Sequence, residues 1–232
     1  MRPQVSGAGI CRRLRPHFGG PISSYEFRPV SSTRARRSGV MQMDTDSIQL
    51  ETPRLLLRPP RACDFDEWAI LMADAEAAHF IGGAQPRPIA WRAMMVMAGA
   101  WHLHGFAMFS VIEKSTGRWL GRLGPWQPEG WPSTEVGWGL VRDCWGRGYA
   151  TEGAAASIDW AFTHLGWSEV IHCIDPGNVA SQCVARKLGS RNRGPGVLPA
   201  PLENARVDIW GQTREEWRAR PSAERAAMNR RE

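Results

Sequence analysis

The stretch that most constrains this chain runs from Thr134 to Ile174. It reads "TEVGWGLV", then the glycine loop "WGRGYATEG" (Trp145 to Gly153), a helical run to His164, and "VIHCI" (Val170 to Ile174). Two strands joined through a helix are most simply parallel neighbours with a right-handed crossover. The helix N-terminus then lies at the carboxyl ends of the strands, where open α/β sheets bind ligands. Its unpaired N–H groups and partial positive charge receive phosphate. Gly146 and Gly148 allow unusual dihedrals and close backbone approach, Arg147 adds a charge and Thr151 a hydroxyl. An isolated loop of this kind serves equally well as a tight turn before a helix. "GRGYAT" is neither a Walker loop nor a dinucleotide fingerprint, so the phosphate reads as a pyrophosphate on something other than a nicotinamide cofactor.

The flanks give a mixed α/β domain. "RLLLRP" (Arg54 to Pro59) is a short strand closed by prolines. Asp64 is placed as a helix N-cap before the stripe Phe65, Trp68, Leu71 and Met72, with that helix ending near Gly82 and Gly83. A second helix spans Pro88 to His102, with Met94, Met97 and Trp101 on one face. Strands follow over Phe106 to Glu113, Trp119 to Trp126 and Thr134 to Val141, the first two joined by the hairpin turn "KSTGR". A helix from about Thr151 to His164 buries Ala154, Ile158, Ala161 and Leu165 and is capped by Gly166. Asn178 opens another helix that stops at Gly189, and the last clear strand is Ala205 to Gly211.

Composition limits the function classes. The chain has 232 residues, 43% hydrophobic and 22% charged, which suits one domain with tails. No run reaches the roughly 18 apolar residues of a membrane-spanning helix, so no membrane partner is expected. Five scattered cysteines without a C-x-x-C pair argue against a zinc site or a disulfide framework and fit a reducing cytoplasm. No metal is expected. The net charge is +6, but residues 1–40 hold eight arginines against one acid, Glu26. That segment alone carries +7 and leaves −1 for the rest, so a nucleic-acid partner is not expected.

Residues 1–46 read as a disordered basic extension, because their sparse apolar content offsets little ordering entropy. A misassigned start, with Met41 or Met43 as the true one, and an organelle-targeting segment remain alternatives. The folded domain is placed at residues 47–212, and 213–232 form a polar tail, helical or disordered.

Alternation along Thr134 to Val141 puts Val136, Trp138 and Leu140 on one apolar face and Glu135, Gly137 and Gly139 on the other. A carboxylate beside two glycines leaves open space for reactants. It equally fits a solvent-facing strand glutamate in a cross-strand ion pair. Asn178 and Ser181 stand as N-cap and N3 residues, and capping alone would explain them. Arg186 and Lys187 are a solvated face or a phosphate contact. Trp126 and Trp131, with Pro128, Gly130 and Pro132, form a loop suited to line an acceptor site.

"TPRLLLRP", "EVGWGLVRDCWGRGYATEG" and "NVASQCVARKLGS", in that order over roughly Ser47 to Trp210, resemble the GCN5-related N-acetyltransferases. The pattern is most similar to the branch that includes the ribosomal-protein N-terminal acetyltransferases. The resemblance implies a mostly antiparallel central sheet with a splayed parallel pair flanked by helices. It implies acetyl-CoA as donor, with its pyrophosphate on the backbone amides of Arg147, Gly148, Tyr149, Ala150 and Thr151. Gly146 belongs to the same loop, and the pantetheine arm pairs with Leu140 and Val141. The family's Gln or Arg is replaced by Trp145, which removes one polar side chain and leaves backbone binding intact. Glu135 takes the place of a general base, often acting through water. Asn178 contacts the pantetheine and Ser181 approaches the sulfur. Many relatives protonate the thiolate with a tyrosine on that helix. Here the two tyrosines are Tyr25 and Tyr149, so Ser181 becomes the candidate acid.

The expected activity is direct acetyl transfer to a primary amine of a small molecule or a protein N-terminus. A second copy of the chain is kept as a partner, giving a homodimer. The alternative is a non-catalytic acyl-CoA-binding or regulatory domain, against which Glu135 counts.

Overall fold

The computed structural model describes residues 48–221. The elements are β1 (Leu50–Glu51), β2 (Leu55–Arg58), α1 (Phe65–Ala73), α2 (Arg87–His104), β3 (Phe109–Glu113), β4 (Trp119–Trp126), β5 (Glu135–Leu140), α3 (Tyr149–His164), β6 (Glu169–Ile174), α4 (Val179–Leu188), β7 (Arg191–Gly196), β8 (Val207–Thr213) and α5 (Arg214–Ala219). They build one eight-stranded sheet in the order β1-β2-β3-β4-β5-β6-β8-β7. Every neighbouring pair is antiparallel except β5 and β6, which are parallel. The mixed α/β class and the splayed parallel pair are therefore as the sequence implied. Among the described residues no helix is long and apolar enough to cross a membrane.

The core follows the periodicities. Ala154, Ile158 and Ala161 of α3 are fully buried with Val136 and Val170, and Leu165 packs on the same cluster. Ala90, Met94, Met97 and Trp101 form the inner stripe of α2 and meet Trp68, Leu71 and Met72 of α1. Gly105, left-handed at φ 76°, ends α2.

Three expectations are corrected. The first helix stops at Ala73, well before Gly82, because Asp74 turns extended (ψ 109°) and its carboxylate accepts the N–H groups of Glu76 and Ala77. Asp64 stands at the start of α1, yet its side chain makes no cap bond to that helix. It pairs instead with Arg58 (2.7 and 2.8 Å) and accepts from the Ser110 hydroxyl and the Arg61 N–H. β7, "RNRGPG", was not foreseen. It is an edge strand with Pro195 beside a register shift, and it shows almost no apolar alternation to read. The segment after 212 also adds a core residue: Trp217 of α5 is 1% exposed among the α3 side chains and donates to Asp159 at 2.6 Å.

The buried Arg58–Asp64 pair ties β2 to the turn before α1, and Ser110 joins β3 to it. Burial alone would raise the Asp64 carboxyl, but its bonds to Arg58, Arg61 and Ser110 outweigh that and hold it below 3.8. Its contribution is thus present above the ordinary carboxylate range and is lost as pH falls through the lowered value. Asp64→Ala should cost about 3–5 kcal/mol at neutral pH by leaving Arg58 buried and unpaired, measured by urea unfolding. A loss under about 1 kcal/mol would mean that the pair is not structural.

Candidate active site

Gly146 (φ 75°) and Gly148 (φ 81°) are both left-handed, as the loop reading requires. Gly148 is the N-cap of α3 and offers no capping side chain. The first helical bond runs from Glu152 N–H to Gly148 O at 3.0 Å. The amides of Tyr149, Ala150 and Thr151 thus lie ahead of the helical ladder, aimed out of the N-terminus. The Tyr149 side chain points inward, 7% exposed, with its hydroxyl 2.5 Å from Glu113. Its contribution to the loop is therefore the backbone.

The loop is pinned from below by Glu152, whose carboxylate is fully buried. It accepts from the Thr52 hydroxyl (2.6 Å), the Arg54 N–H (3.0 Å) and Arg54 Nε (2.7 Å). Arg54 also lies over the Tyr149 ring at 4.4 Å and donates to the Arg147 carbonyl at 3.0 Å. "TPR" and "ATEG" are thus two halves of one clamp that sets the N-terminus of α3 against the first strands.

Between β5 and β6 the register contains one pair, Glu135 opposite Ile171, with Ile171 N–H bonded to Thr134 O at 2.8 Å. Above it the strands part, and side chains take over the ladder. His172 Nδ1 lies 2.6 Å from Val136 O, and Glu135 Oε1 accepts the Cys173 N–H at 3.1 Å. A carbonyl only accepts, so Nδ1 carries the proton and Nε2 accepts from Ser190 Oγ at 3.0 Å. The same alternation turns the backbone groups of Trp138 and Leu140 toward the opening. Leu140 O receives the Trp145 indole at 2.8 Å. Trp145 therefore closes the end of the gap rather than leaving the Gln/Arg position idle. Val141, expected to pair with a ligand, is already engaged: its N–H donates to Leu120 O (2.9 Å) and its carbonyl accepts from Cys144 (3.2 Å).

A cavity of about 610 Å³ opens at the splay. Glu135, Trp138, Asn178 and Ser181 all line it, with Trp126 and Trp131 from the expected acceptor loop. Glu135 is 6% exposed and also accepts from Trp131 Nε1 at 2.5 Å. Burial raises its carboxyl, opposed by the Cys173 and Trp131 bonds and the Arg122 charge. The solvent-facing alternative for Glu135 is thereby excluded. Asn178 caps α4 through Ser181 N–H at 3.0 Å. Ser181 Oγ accepts the Trp138 indole at 3.1 Å, so the hydroxyl proton stays available.

Other expectations come out differently. The glycine face of β5 is narrower than expected: Gly137 lines the cavity with Glu135, but Met108 and Ile81 crowd the two glycines. A Cβ on Gly137 would stand 2.7 Å from Met108 Cε, and one on Gly139 would stand 3.3 Å from Ile81 Cδ1. Arg186 binds Gln182 at 3.0 Å and lies over Trp210, matching the plain helix-face reading. Cys173 and Arg122 were missed, and both line the cavity. Burial and the Glu135 charge push the Cys173 thiol up, so it stays protonated and is no nucleophile. The hairpin register was the signal for Arg122, because Arg122 opposite Gly139 shares the face of Glu135.

The profile of the acetyltransferase (GNAT) domain family matches residues 54–191. The uncharacterized protein YkkB of Bacillus subtilis is 39% identical over 88 residues, 37% of this chain and about half (51%) of that protein. The uncharacterized N-acetyltransferase p20 of Bacillus licheniformis is 29% identical over 150 residues, 62% of this chain and 83% of that protein. Among solved structures, an acetyltransferase from Agrobacterium tumefaciens aligns with TM-score 0.64 and 29% identity, covering 72% of this chain and 95% of its own. RimJ of Mycobacterium smegmatis, in complex with CoA-disulfide, aligns with TM-score 0.58 and 22% identity, covering 77% and 91%. That second likeness is one of fold.

His172 provides a test of the side-chain ladder. Burial lowers its pKa from 6.5 to about 4 despite the Val136 bond. The unfolded chain then binds more protons between those values, so stability is complete above about 6.5 and falls as pH drops toward 4. Between pH 7 and 5 the wild type should lose roughly 2 kcal/mol more than His172→Gln, read from urea midpoints. Equal pH slopes in the two proteins would show that the ring is not held neutral.

Proposed function

The chain belongs to the acetyltransferase (GNAT) family, and on that premise we propose that it transfers an acetyl group from acetyl-CoA directly to a primary amine. One observation carries this reading: Glu135 and Ser181 line one cavity at the β5/β6 splay, and the chain leaving β5 runs into the amide-bearing N-terminus of α3. The residues fit the donor. The amides of Tyr149, Ala150 and Thr151 would hold its pyrophosphate, helped by those of Arg147 and Gly148. The free edge of Trp138 and Leu140 would hold the pantetheine arm, with Asn178 beside it, and Val141 leaves that role. When bound, the donor supplies an activated thioester.

Glu135 removes a proton from the ammonium, directly or through water, so that the amine attacks as a neutral nucleophile. Its raised pKa brings a carboxylate closer to the basicity this step needs. The Trp138 N–H, turned into the splay, steadies the oxyanion. Ser181 keeps a proton for the departing thiolate. Side-by-side binding supplies proximity without a covalent enzyme intermediate, consistent with a protonated Cys173. The acceptor is a small-molecule amine or a protein N-terminus, and the site of action is the cytoplasm. We read residues 47–212, with α5 appended, as the catalytic unit.

Free thiol released from acetyl-CoA over a panel of amines tests the activity, and tight donor binding without turnover would favour the binding-domain alternative. Glu135→Gln should lower kcat/KM by about 10²- to 10⁴-fold. It should also abolish an acid limb lying above the ordinary carboxylate range. An unchanged pH–rate profile would remove Glu135 from the role of base.

A further inference from the structure

Arg122 is the strangest group in the acceptor cavity. It projects from β4 on the face shared with Glu135, and the Gly124–Gly137 pair stands between their strand positions. A guanidinium carries five N–H donors in a planar fork and almost always spends them on oxygen when it leaves water. Arg122 is half-buried and spends almost none of them on the protein. Its one described hydrogen bond goes to the thioether of Met108, at 2.8 Å, and its Nε is buried without any partner. Among the described residues no carboxylate lies within ion-pair distance of it. The Trp68 ring, 5.6 Å from the guanidinium carbon, attracts the charge but cannot accept the in-plane N–H groups. Burial drags its pKa down to about 10, with Glu135 as the opposing influence, which marks a cation short of counter-charge.

A buried donor left unmade is costly, and a positive charge short of both bonds and neutralisation doubly so. Thioethers are weak acceptors, so Met108 is a placeholder that an oxygen would displace. We propose that Arg122 is the specificity residue of the acceptor site and binds a carboxylate carried by the acceptor, making the substrate an amino-carboxylate rather than a polyamine. Two parallel N–H bonds to a carboxylate satisfy the fork and its charge together. The amine of the same molecule is then directed along the shared face toward Glu135. A neutral carbonyl would meet the hydrogen-bond need but leave the charge, and a polycation would add repulsion to it.

This inference rests on the acetyl-transfer reading, and its test separates the two. Wild type and Arg122→Gln are compared on matched sets: α-, β- and γ-amino acids, their carboxamides and the decarboxylated amines. The carboxylate member should lead by about 10- to 100-fold in kcat/KM in the wild type. That ratio should collapse toward one in Arg122→Gln, with Arg122→Lys between them. Thermal unfolding of each variant checks that the fold survives. If Arg122 merely tuned Glu135, the pH profile would move while the acid-to-amide ratio stayed constant, and the proposal would be overturned. If no amine is acetylated, the acetyl-transfer reading fails, yet the site remains testable. Calorimetric titration of the corresponding carboxylic acids lacking the amine, with CoA present, should show binding weakened at least tenfold by Arg122→Gln. Equal binding to both proteins would overturn the assignment.

Discussion

Between β5 and β6 the parallel ladder closes at one position, Glu135 opposite Ile171, and then parts. Parted strands in a buried sheet expose N–H and C=O groups that cost free energy unless something else bonds them. The chain answers with side chains at each step. His172 takes the Val136 carbonyl, Glu135 takes the Cys173 N–H, and Trp145 takes the Leu140 carbonyl. By the strand alternation, this repair leaves the edge of Trp138 and the amide of Leu140 turned toward the splay, where Trp138 lines a cavity with Glu135 and Ser181. The site is thus the residue of an incomplete sheet. The carboxylate proposed as the base is also one of the groups that make the gap tolerable.

The gap would be useless if the helix above it drifted, and the Glu152 clamp prevents that. A buried carboxylate is tolerated only when its lone pairs are filled. Glu152 is filled by Thr52, the Arg54 backbone and the Arg54 guanidinium, all from the start of the domain. The clamp joins residues about a hundred positions apart and fixes the direction in which the N-terminus of α3 points. Gly153 next to it must stay small, since a Cβ there would stand 2.5 Å from Leu123.

Much of this was legible in the sequence because it is periodic or local. The crossover unit, the stripes of α2 and α3, the caps at Asn178 and Gly189, and the glycine loop follow from spacing and backbone conformation. The groups that were misread depend on contacts across the fold. Asp64 has the right sequence position for a cap, but the buried Arg58 guanidinium competes for its carboxylate and wins. The glycines of β5 suggest open space, and Gly137 does line the cavity, yet Met108 and Ile81 narrow it across the fold. β7 carries no apolar signal because it is a one-sided edge. Arg122 and Cys173 looked ordinary, since nothing local says that one lacks oxygen partners or that the other lies beside Glu135.

Hydrogen exchange of single backbone amides, with and without CoA, tests the central claim most directly: that the splay and the α3 N-terminus together seat the donor. CoA should slow exchange at Tyr149, Ala150 and Thr151 and at Trp138 and Leu140, with little change at Val141, which is already bonded to Leu120. Protection confined to other elements, with the α3 amides and the β5 edge exchanging as before, would contradict it.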